Sequence, residues 1–172
     1  MRASYGNAGT IAGYATSPVG TPDVLLSLPS LLLSKTSPLA IRHRTLPSLA
    51  PWLLRFLWQS LPAQAARNAR AIAMLLNGAA ERWDDLALRV QGAGILQRRG
   101  CLYLYETPQA FTHAWTELDQ RRKLGVEVDL VGPDRLGELE PNLPRRLGGA
   151  ALFTGATFLD DPGRMMGLIA AA

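Results

Sequence analysis

A helical period that begins at Pro62 is the feature of the sequence that most constrains the fold. Apolar residues recur from there at alternating steps of three and four, which places them on one face of a helix. Pro62 is admissible in a first helical turn, and Gly92 lies past the last apolar position. Gly78, inside the pattern, costs about 1 kcal/mol relative to Ala. The sequence predicts one long amphipathic helix with a seam at Ala66, Ala69, Ala73, Leu76, Ala80, Trp83, Ala87 and Val90.

After this helix the period changes to that of β-strands. Residues 98–106 (RRGCLYLYE) alternate between two sets of side chains. Cys101, Tyr103 and Tyr105 fall on one face, and Leu102 and Leu104 fall on the other, which indicates a strand. Further strands are predicted at 126–130 (VEVDL) and on the two sides of a turn in 149–161.

Helix-start signals stand between these strands. Thr107 and Pro108 are the residue types preferred at an N-cap and a first helical position, and the helix they begin ends in basic residues before Gly125. Asp161 caps a last helix in the same way. The first of these helices is expected to turn three side chains inward, those of Phe111, Trp115 and Leu118.

Two apolar stretches precede the long helix, at residues 24–34 and 46–62. Each is interrupted by proline and is shorter than the ~20 apolar residues that a membrane-spanning helix needs. Both predict short helices, and burial in a protein core is the favoured interpretation. The alternative is insertion into a membrane interface, where Trp52 and Trp58 are suited to the headgroup region.

The order of these elements predicts an α+β protein of about one domain, since the chain has 172 residues. Three regions are expected: a loop region at 1–22, a helical segment at 23–97 and a strand-and-helix portion at 98–172. The loop at the start has no strand or helix before it, and the last helix stops in mid-pattern at Ala172. Together these features predict a chain that is cut at both ends.

Composition excludes several classes of function. The net charge is +4, but the basic residues are scattered and are not interleaved with aromatic residues, so no nucleic-acid partner is expected. A single cysteine, Cys101, and two distant histidines, His43 and His113, provide no metal motif and no disulfide. No secretory signal is visible, which fits a cytoplasmic protein. The GxGxxG, P-loop, GxSxG and HExxH motifs are also missing from the sequence, so no catalytic residue is predicted.

The opening loop, SYGNAGTIAGYATSP at residues 4–18, is the one candidate binding element. Gly6, Ala8 and Gly9 leave backbone N–H groups unshielded, and Ser4 and Asn7 add side-chain donors. Such a loop suits an anion or the edge of a heteroaromatic ring. Taken alone, it is explained more simply as an ordinary Gly/Asn turn.

The loop resembles the S-x-x-N-A-G-x-I loop of the FAD-dependent D-amino acid dehydrogenases of the small-subunit type, in the D-amino-acid oxidase and glycine oxidase superfamily. Four further segments are similar to the same family, in the same order and spacing. They are SPLAIR with PWLLRFL (37–42 and 51–57), RRGCLYLYET (98–107), LGVEVDLVGPDRLGELEPNL (124–143) and LDDPGRMMGLIAAA (159–172).

The resemblance implies part of the substrate-binding domain of a Rossmann-type oxidoreductase, with a mixed or antiparallel sheet and helices. In that family a βαβ unit with GxGxxG precedes the loop, and a closing half completes the FAD and substrate sites. The strand at 102–105 would belong to the sheet above the substrate pocket. By carry-over, the residues that would contact FAD are Ser4, Gly6, Asn7, Ala8, Gly9 and, near the exit of the loop, Tyr14.

The activity that the resemblance implies is oxidation of the Cα–N bond of an amino acid, foremost a D-amino acid, to the imine and then the 2-oxo acid. The isolated chain is expected to be inactive and to hold FAD weakly. The alternative is a non-catalytic module derived from the family that binds a partner or a membrane surface. Peripheral contact with the inner face of the cell membrane is compatible with both hypotheses.

Overall fold

The computed structural model of the protein describes residues 7–33, 45–144 and 146–172. Residues 1–15 and 75–172 form one compact unit, here called the sheet unit, and residues 16–74 form a second, here called the helical unit. In chain order the elements are β1 (Thr10–Ile11), α1 (Pro22–Leu33), α2 (Leu46–Gln59), α3 (Pro62–Leu76), α4 (Ala79–Arg89), β2 (Leu96–Gln97), β3 (Cys101–Tyr105), α5 (Pro108–Lys123), β4 (Asp129–Val131), α6 (Pro133–Leu139), β5 (Gly149–Phe153), β6 (Thr157–Leu159) and α7 (Pro162–Ala171).

The strands of the sheet unit form two antiparallel sheets, which confirms the α+β prediction. The larger sheet has the order β3–β5–β4, with Tyr103 opposite Ala151 and Val131 opposite Ala150. The smaller sheet has the order β1–β6–β2. The two predicted strands in 149–161 are β5 and β6, and each belongs to a different sheet.

Helices cover both faces of the larger sheet. Successive residues of a strand point to opposite faces. Ala151 and Phe153 of β5 share a buried cluster with Leu118 of α5. Ala150 of the same strand instead packs with Leu136 of α6. The central strand is therefore buried on both sides, and α5 and α6 lie on opposite faces of the sheet.

The start of α5 follows the sequence prediction, but its inward face does not follow it completely. The Thr107 hydroxyl accepts a hydrogen bond from the backbone N–H of Ala110 at 3.1 Å, as an N-cap does. Leu118 is buried, whereas Trp115 is 48% exposed. Ala114 packs against the buried cluster instead. The expectation that Trp115 faces inward is therefore wrong, and its ring lies edge-on to Phe111 at 6.0 Å.

The single long helix predicted from Pro62 is also wrong, because the chain forms two helices there. α3 ends at Leu76 and α4 begins at Ala79. Gly78 between them has φ +70°, in the left-handed region that interrupts a right-handed helix. The later part of the predicted seam is nevertheless correct. Ala87 and Val90 pack with Met165 of α7 in a second buried cluster.

In the helical unit, α2 differs from the expectation of a core helix. None of its residues is buried. Its Phe56 and its C-cap residue Ser60 lie against Gly20, where an added Cβ would fall within 3.4 Å of both side chains. The opposite side of the helix is exposed. No described helix is both long enough and apolar enough to cross a bilayer.

Candidate functional site

The first described part of the opening loop is a turn closed by a side chain. The Asn7 carboxamide oxygen accepts a hydrogen bond from the Gly9 backbone N–H at 2.8 Å. Asn residues favour this turn because the side chain replaces a backbone acceptor. Asn7 and Ala8 are exposed, while Gly9 is buried. The loop therefore presents Asn7 and Ala8 to solvent from a fixed point at Gly9.

Gly9 fixes the loop to β6 through two independent constraints. Its φ is +68°, which L side chains rarely adopt. A Cβ at this position would lie 2.3 Å from the Leu159 carbonyl oxygen and 3.0 Å from Pro162 Cγ. The Leu159 N–H in turn donates to the Gly9 carbonyl at 2.8 Å. Only glycine fits here, because the atoms that crowd the position belong mainly to backbone.

The chain continues from this point into the smaller sheet. Thr10 lies opposite Phe158, and Ile11 lies opposite Thr157. A turn follows, in which the Ala15 N–H donates to the Ala12 carbonyl at 3.0 Å. The loop is thus held by a strand pairing on its C-terminal side and by the close approach of Gly9 to β6.

Tyr14 is placed differently from Asn7, Ala8 and Gly9. It is 8% exposed, and its ring stacks on Phe153 with centroids 4.5 Å apart and lies edge-on to Tyr103 at 5.7 Å. Burial, followed by hydrogen bonding with the Cys101 and Tyr103 side chains, raises the pKa of Tyr14. The structure therefore gives Tyr14 a packing role that ties the loop exit to the larger sheet.

Arg121 of α5 reinforces this connection. Its Nη1 donates to the Tyr14 carbonyl at 3.4 Å, and its guanidinium carbon lies 5.5 Å from the Phe153 ring centroid. Glu117 accepts from the same guanidinium through Nε at 3.0 Å and Nη2 at 2.5 Å. From sequence, Arg121 is only one of three basic residues in a last helical turn. No local signal distinguishes it from Arg122 or Lys123.

The structure describes four of the six residues that are predicted to contact FAD. Asn7, Ala8 and Gly9 lie together at the start of β1, and Tyr14 lies apart from them in the core. Ser4 and Gly6 fall outside the described residues. Contact of any of the six with FAD stays a prediction.

The strand expected above a substrate pocket has one accessible edge. β3 lies at the end of the larger sheet's described strand order and pairs with β5. The alternation read from its sequence is confirmed: Cys101 and Tyr105 pack on the cluster that contains Tyr14, and Leu102 packs on the opposite cluster. Tyr103 and Leu104 are both exposed. These two side chains are the part of β3 that a ligand or a further chain segment can reach.

A separate cavity of about 220 Å³ lies in the sheet unit beside α4. An ion pair between Arg98 and Asp84 forms part of its wall, and hydrogen bonding to Asp84 raises the pKa of Arg98. No local pattern in the sequence indicates this pair. No group of acidic, His or Cys side chains suited to a metal ion occurs within the described ranges. The cavity is lined by Ala80, Glu81, Asp84, Arg98, Thr154, Gly155, Ala156 and Thr157.

The family described as FAD dependent oxidoreductase (DAO) matches residues 1–172. The chain belongs to this family. Among curated proteins it is 28% identical over 171 residues to a D-amino-acid oxidase of Bradyrhizobium diazoefficiens, covering 98% of this chain and 40% of the relative. It is 29% identical over 161 residues to a D-amino acid dehydrogenase 2 of Ralstonia nicotianae, covering 92% and 37%.

A solved structure agrees with this assignment at the level of the fold. The chain is similar to glycine oxidase from Geobacillus kaustophilus, with a TM-score of 0.50 and 21% identity, covering 98% of this chain and 34% of that one. The chain therefore spans about two fifths or less of the length of the relatives it matches.

Proposed function

We propose that this chain forms part of an FAD-dependent oxidoreductase that oxidises the Cα–N bond of an amino acid, foremost a D-amino acid. The chain would supply one loop that contacts the flavin and much of the domain that encloses the substrate. When bound, FAD would accept a hydride from the substrate α-carbon to leave an imine, which water converts to the 2-oxo acid and ammonia. The chain's own residues would position the amino acid and exclude water.

The Gly9 anchor is the observation that supports this proposal most. The segment that resembles the family loop is exposed at its tip and attached to the sheet at its base. Asn7 and Ala8 face solvent, while Gly9 is held against Leu159 by a positive φ and by backbone contact. A loop that lies against a flat heteroaromatic ring needs both properties, because a bulky side chain would hold the ring away and a mobile loop would not orient it.

We expect the 172-residue chain on its own to bind FAD weakly or not at all. Its sequence carries no GxGxxG motif, which in dinucleotide-binding folds places the pyrophosphate at a helix N-terminus. A single loop offers a few contacts, and these must offset the entropy lost on association. Purified chain that retains flavin, seen as absorbance in the visible flavin bands, contradicts this expectation.

A chimera tests the role of the loop directly. The aligned region of the Bradyrhizobium D-amino-acid oxidase is replaced by this chain, and flavin content per protein is measured after gel filtration. Gly9→Ala is expected to lower flavin content strongly, since the added methyl group meets the Leu159 carbonyl.

Gly13→Ala is the matched control, because Gly13 has an ordinary φ and nothing within 4 Å of an added Cβ. Asn7→Ala removes the turn's acceptor without adding bulk and is expected to weaken flavin binding less than Gly9→Ala does. If both loop variants retain flavin as well as the control, the loop does not contact the cofactor.

A further inference from the structure

The cavity beside α4 has a buried floor and a charged rim. Ala156 and Thr157 form the floor, and they are 1% and 3% exposed. At the rim, the side chains of Arg98 and Asp84 are 61% and 32% exposed, and Glu81 is exposed as well. All of these residues belong to the sheet unit. The cavity is therefore a pocket that opens past charged side chains and ends on β6.

The hydroxyl group at the floor of this pocket is unpaired. Within the described residues, the Thr157 side chain has no hydrogen-bond partner, although the residue is almost fully buried. Hydroxyl groups in such positions are nearly always paired, either with protein or with a bound molecule. The neighbouring Thr154 hydroxyl donates to the Glu127 carboxylate at 3.3 Å, and its oxygen can still accept a hydrogen bond. A molecule inside the pocket is the partner that the position of Thr157 allows.

Groups of both charges stand at the rim. The ion pair joins Arg98 Nη2 to Asp84 Oδ1, and a guanidinium carries five N–H donors, so Arg98 can also bind an anion. The second oxygen of the Asp84 carboxylate can likewise accept from a cation. Glu81 forms no ion pair with any described residue. The pocket therefore offers donors for a negative group and acceptors for a positive group, a few ångströms apart.

The volume of the pocket limits the size of its occupant. The 220 Å³ correspond to about seven water molecules at about 30 Å³ each, which is the space of a ligand with roughly six to eight non-hydrogen atoms. A nucleotide or a folded peptide segment is too large. The lining includes the small residues Ala80 and Ala156, which leave room for a short apolar group.

We propose that this pocket binds a small amino acid in its zwitterionic form. The ammonium group donates to Glu81 and to the free oxygen of Asp84, while the carboxylate accepts from Arg98 and from the Thr157 hydroxyl. Charge-assisted hydrogen bonds of this kind are about twice as strong as neutral ones. A ligand with a single charge matches only half of the rim, because an amine also meets the guanidinium and a carboxylate also meets Glu81.

Two other occupants fit the pocket less well. An inorganic anion would lie against two carboxylates, and the guanidinium that could hold it is already paired with one of them. A metal ion is disfavoured because the described ranges contain no group of side chains suited to one. Binding of an amino acid here requires no flavin, so it can fail or succeed separately from the function proposed above.

A titration of the full 172-residue chain with α-aminoisobutyrate, followed by the NMR shifts of its backbone amides, provides the test. This amino acid has seven non-hydrogen atoms, is achiral, and carries no hydrogen on its α-carbon, so oxidation at that carbon cannot take place. Saturable shift changes are expected at residues 80–84, 98 and 154–157. Isobutyrate and isopropylamine, which each keep one of the two charges, are expected to bind at least about ten-fold more weakly.

A steric variant tests the position of the ligand. Ala80→Leu places a larger side chain in the pocket and should abolish the titration, while leucine retains a high helix propensity in α4. Ala170→Leu makes the same change at an exposed position of α7 and should leave binding unchanged. Thr157→Val keeps the shape of the side chain and removes the hydroxyl, so it should weaken binding by about five-fold or more.

Charge variants test the roles of the two signs separately. Glu81→Gln should weaken binding of α-aminoisobutyrate about ten-fold, and it should not weaken binding of isobutyrate. Arg98→Gln should also weaken the amino acid about ten-fold, but it should leave isopropylamine bound at least as well as before. Glu138→Gln, an exposed change on α6 in the same unit, is the control and should alter none of these affinities.

Three results would overturn the proposal. The first is a titration without saturable shifts at the lining residues. The second is equal affinity for α-aminoisobutyrate and for either of its singly charged analogues, which would show that the rim does not recognise a zwitterion. The third is binding that Ala80→Leu and Ala170→Leu leave equally strong, because the ligand would then lie elsewhere.

Discussion

Replacement of Tyr14 by Ala tests whether this residue serves the core or the cofactor. Its ring is 8% exposed, stacks on Phe153 and meets the edge of Tyr103. Truncation of a buried aromatic side chain to Ala costs about 3–5 kcal/mol, and aromatic pairs add roughly 0.5–1.5 kcal/mol beyond the area they bury. We expect Tyr14→Ala to lower the free energy of unfolding by about 4 kcal/mol.

Urea denaturation of the chain without flavin measures this change, with the free energy of unfolding obtained by linear extrapolation. Hydrogen exchange of the β5 amides reports the stability of the sheet unit specifically. Tyr14→Phe keeps the ring and removes the hydroxyl, so it should cost about 1 kcal/mol. Leu88→Ala is the comparison at a position of the same unit that is 67% exposed, and its loss should be well below that of Tyr14→Ala.

A double-mutant cycle isolates the ring pair. Tyr14→Ala combined with Phe153→Leu should show a coupling of about 1 kcal/mol, since the two side chains are in direct contact. A loss below about 0.5 kcal/mol for Tyr14→Ala, the size expected of a surface substitution, refutes the packing role. In that event the ring is free to lie against a cofactor, as the family resemblance implies.

Three further predictions concern the local structure and the response to pH. Gly78→Ala should destabilise the protein by about 1 kcal/mol or more in urea unfolding, because residues with a Cβ rarely adopt φ +70°. The cause is the backbone conformation and not crowding, since the atom nearest to an added Cβ is 3.8 Å away. Stabilisation by about 1 kcal/mol would instead indicate a continuous helix. Thr107→Val should cost about 1 kcal/mol by loss of the N-cap oxygen, and an unchanged unfolding midpoint would contradict that assignment. Burial raises the pKa of Tyr14 and of Tyr105 above that of an unfolded tyrosine. Their contribution to the free energy of unfolding is therefore complete below about pH 10 and is lost as the pH rises further. Tyr14→Phe should make the free energy of unfolding decline less between neutral and alkaline pH, and a decline identical to that of the unaltered protein would contradict this prediction.

Local patterns in the sequence predicted most of the elements of the sheet unit. The alternation in 98–106 specified β3 and its two faces, because a half-buried strand has a strict period of two. Thr107 specified the start of α5, and Asp161 specified that of α7, where its carboxylate accepts from the Arg164 N–H at 2.8 Å. Each of these signals acts within a few residues, so no tertiary information was needed.

The errors arise where distant parts of the chain decide the outcome. The period through Gly78 is helical on both sides, and the left-handed turn that divides it is not encoded by side-chain polarity. Trp115 and Ala114 both fit the inward stripe of α5, and the packed structure selects the smaller residue. The assignment of β5 and β6 to different sheets depends on partners about 20 or more residues away.

Only part of the candidate site could be predicted from the sequence. The Gly-rich loop was identifiable by residue type, and Asn7 with Gly9 forms the kind of turn that its residues favour. Only glycine fits at position 9 because of the backbone carbonyl oxygen of Leu159. The type of a residue does not reveal where its backbone oxygen lies, so this constraint could not be read from the sequence. Tyr14 likewise packs on Phe153 of β5 and accepts a hydrogen bond from Arg121 of α5, and both elements lie more than 100 residues further along the chain.

Anaerobic reduction of flavin in the chimera with the Bradyrhizobium relative tests the central claim most directly. Addition of a D-amino acid such as D-alanine is expected to bleach the flavin absorbance, with the 2-oxo acid as product, while the L-enantiomer leaves the spectrum unchanged. The parent oxidase serves as the positive control. A chimera that folds and retains flavin, yet is bleached by neither enantiomer of any amino acid tested, would contradict the proposal that this chain forms part of an amino acid oxidoreductase.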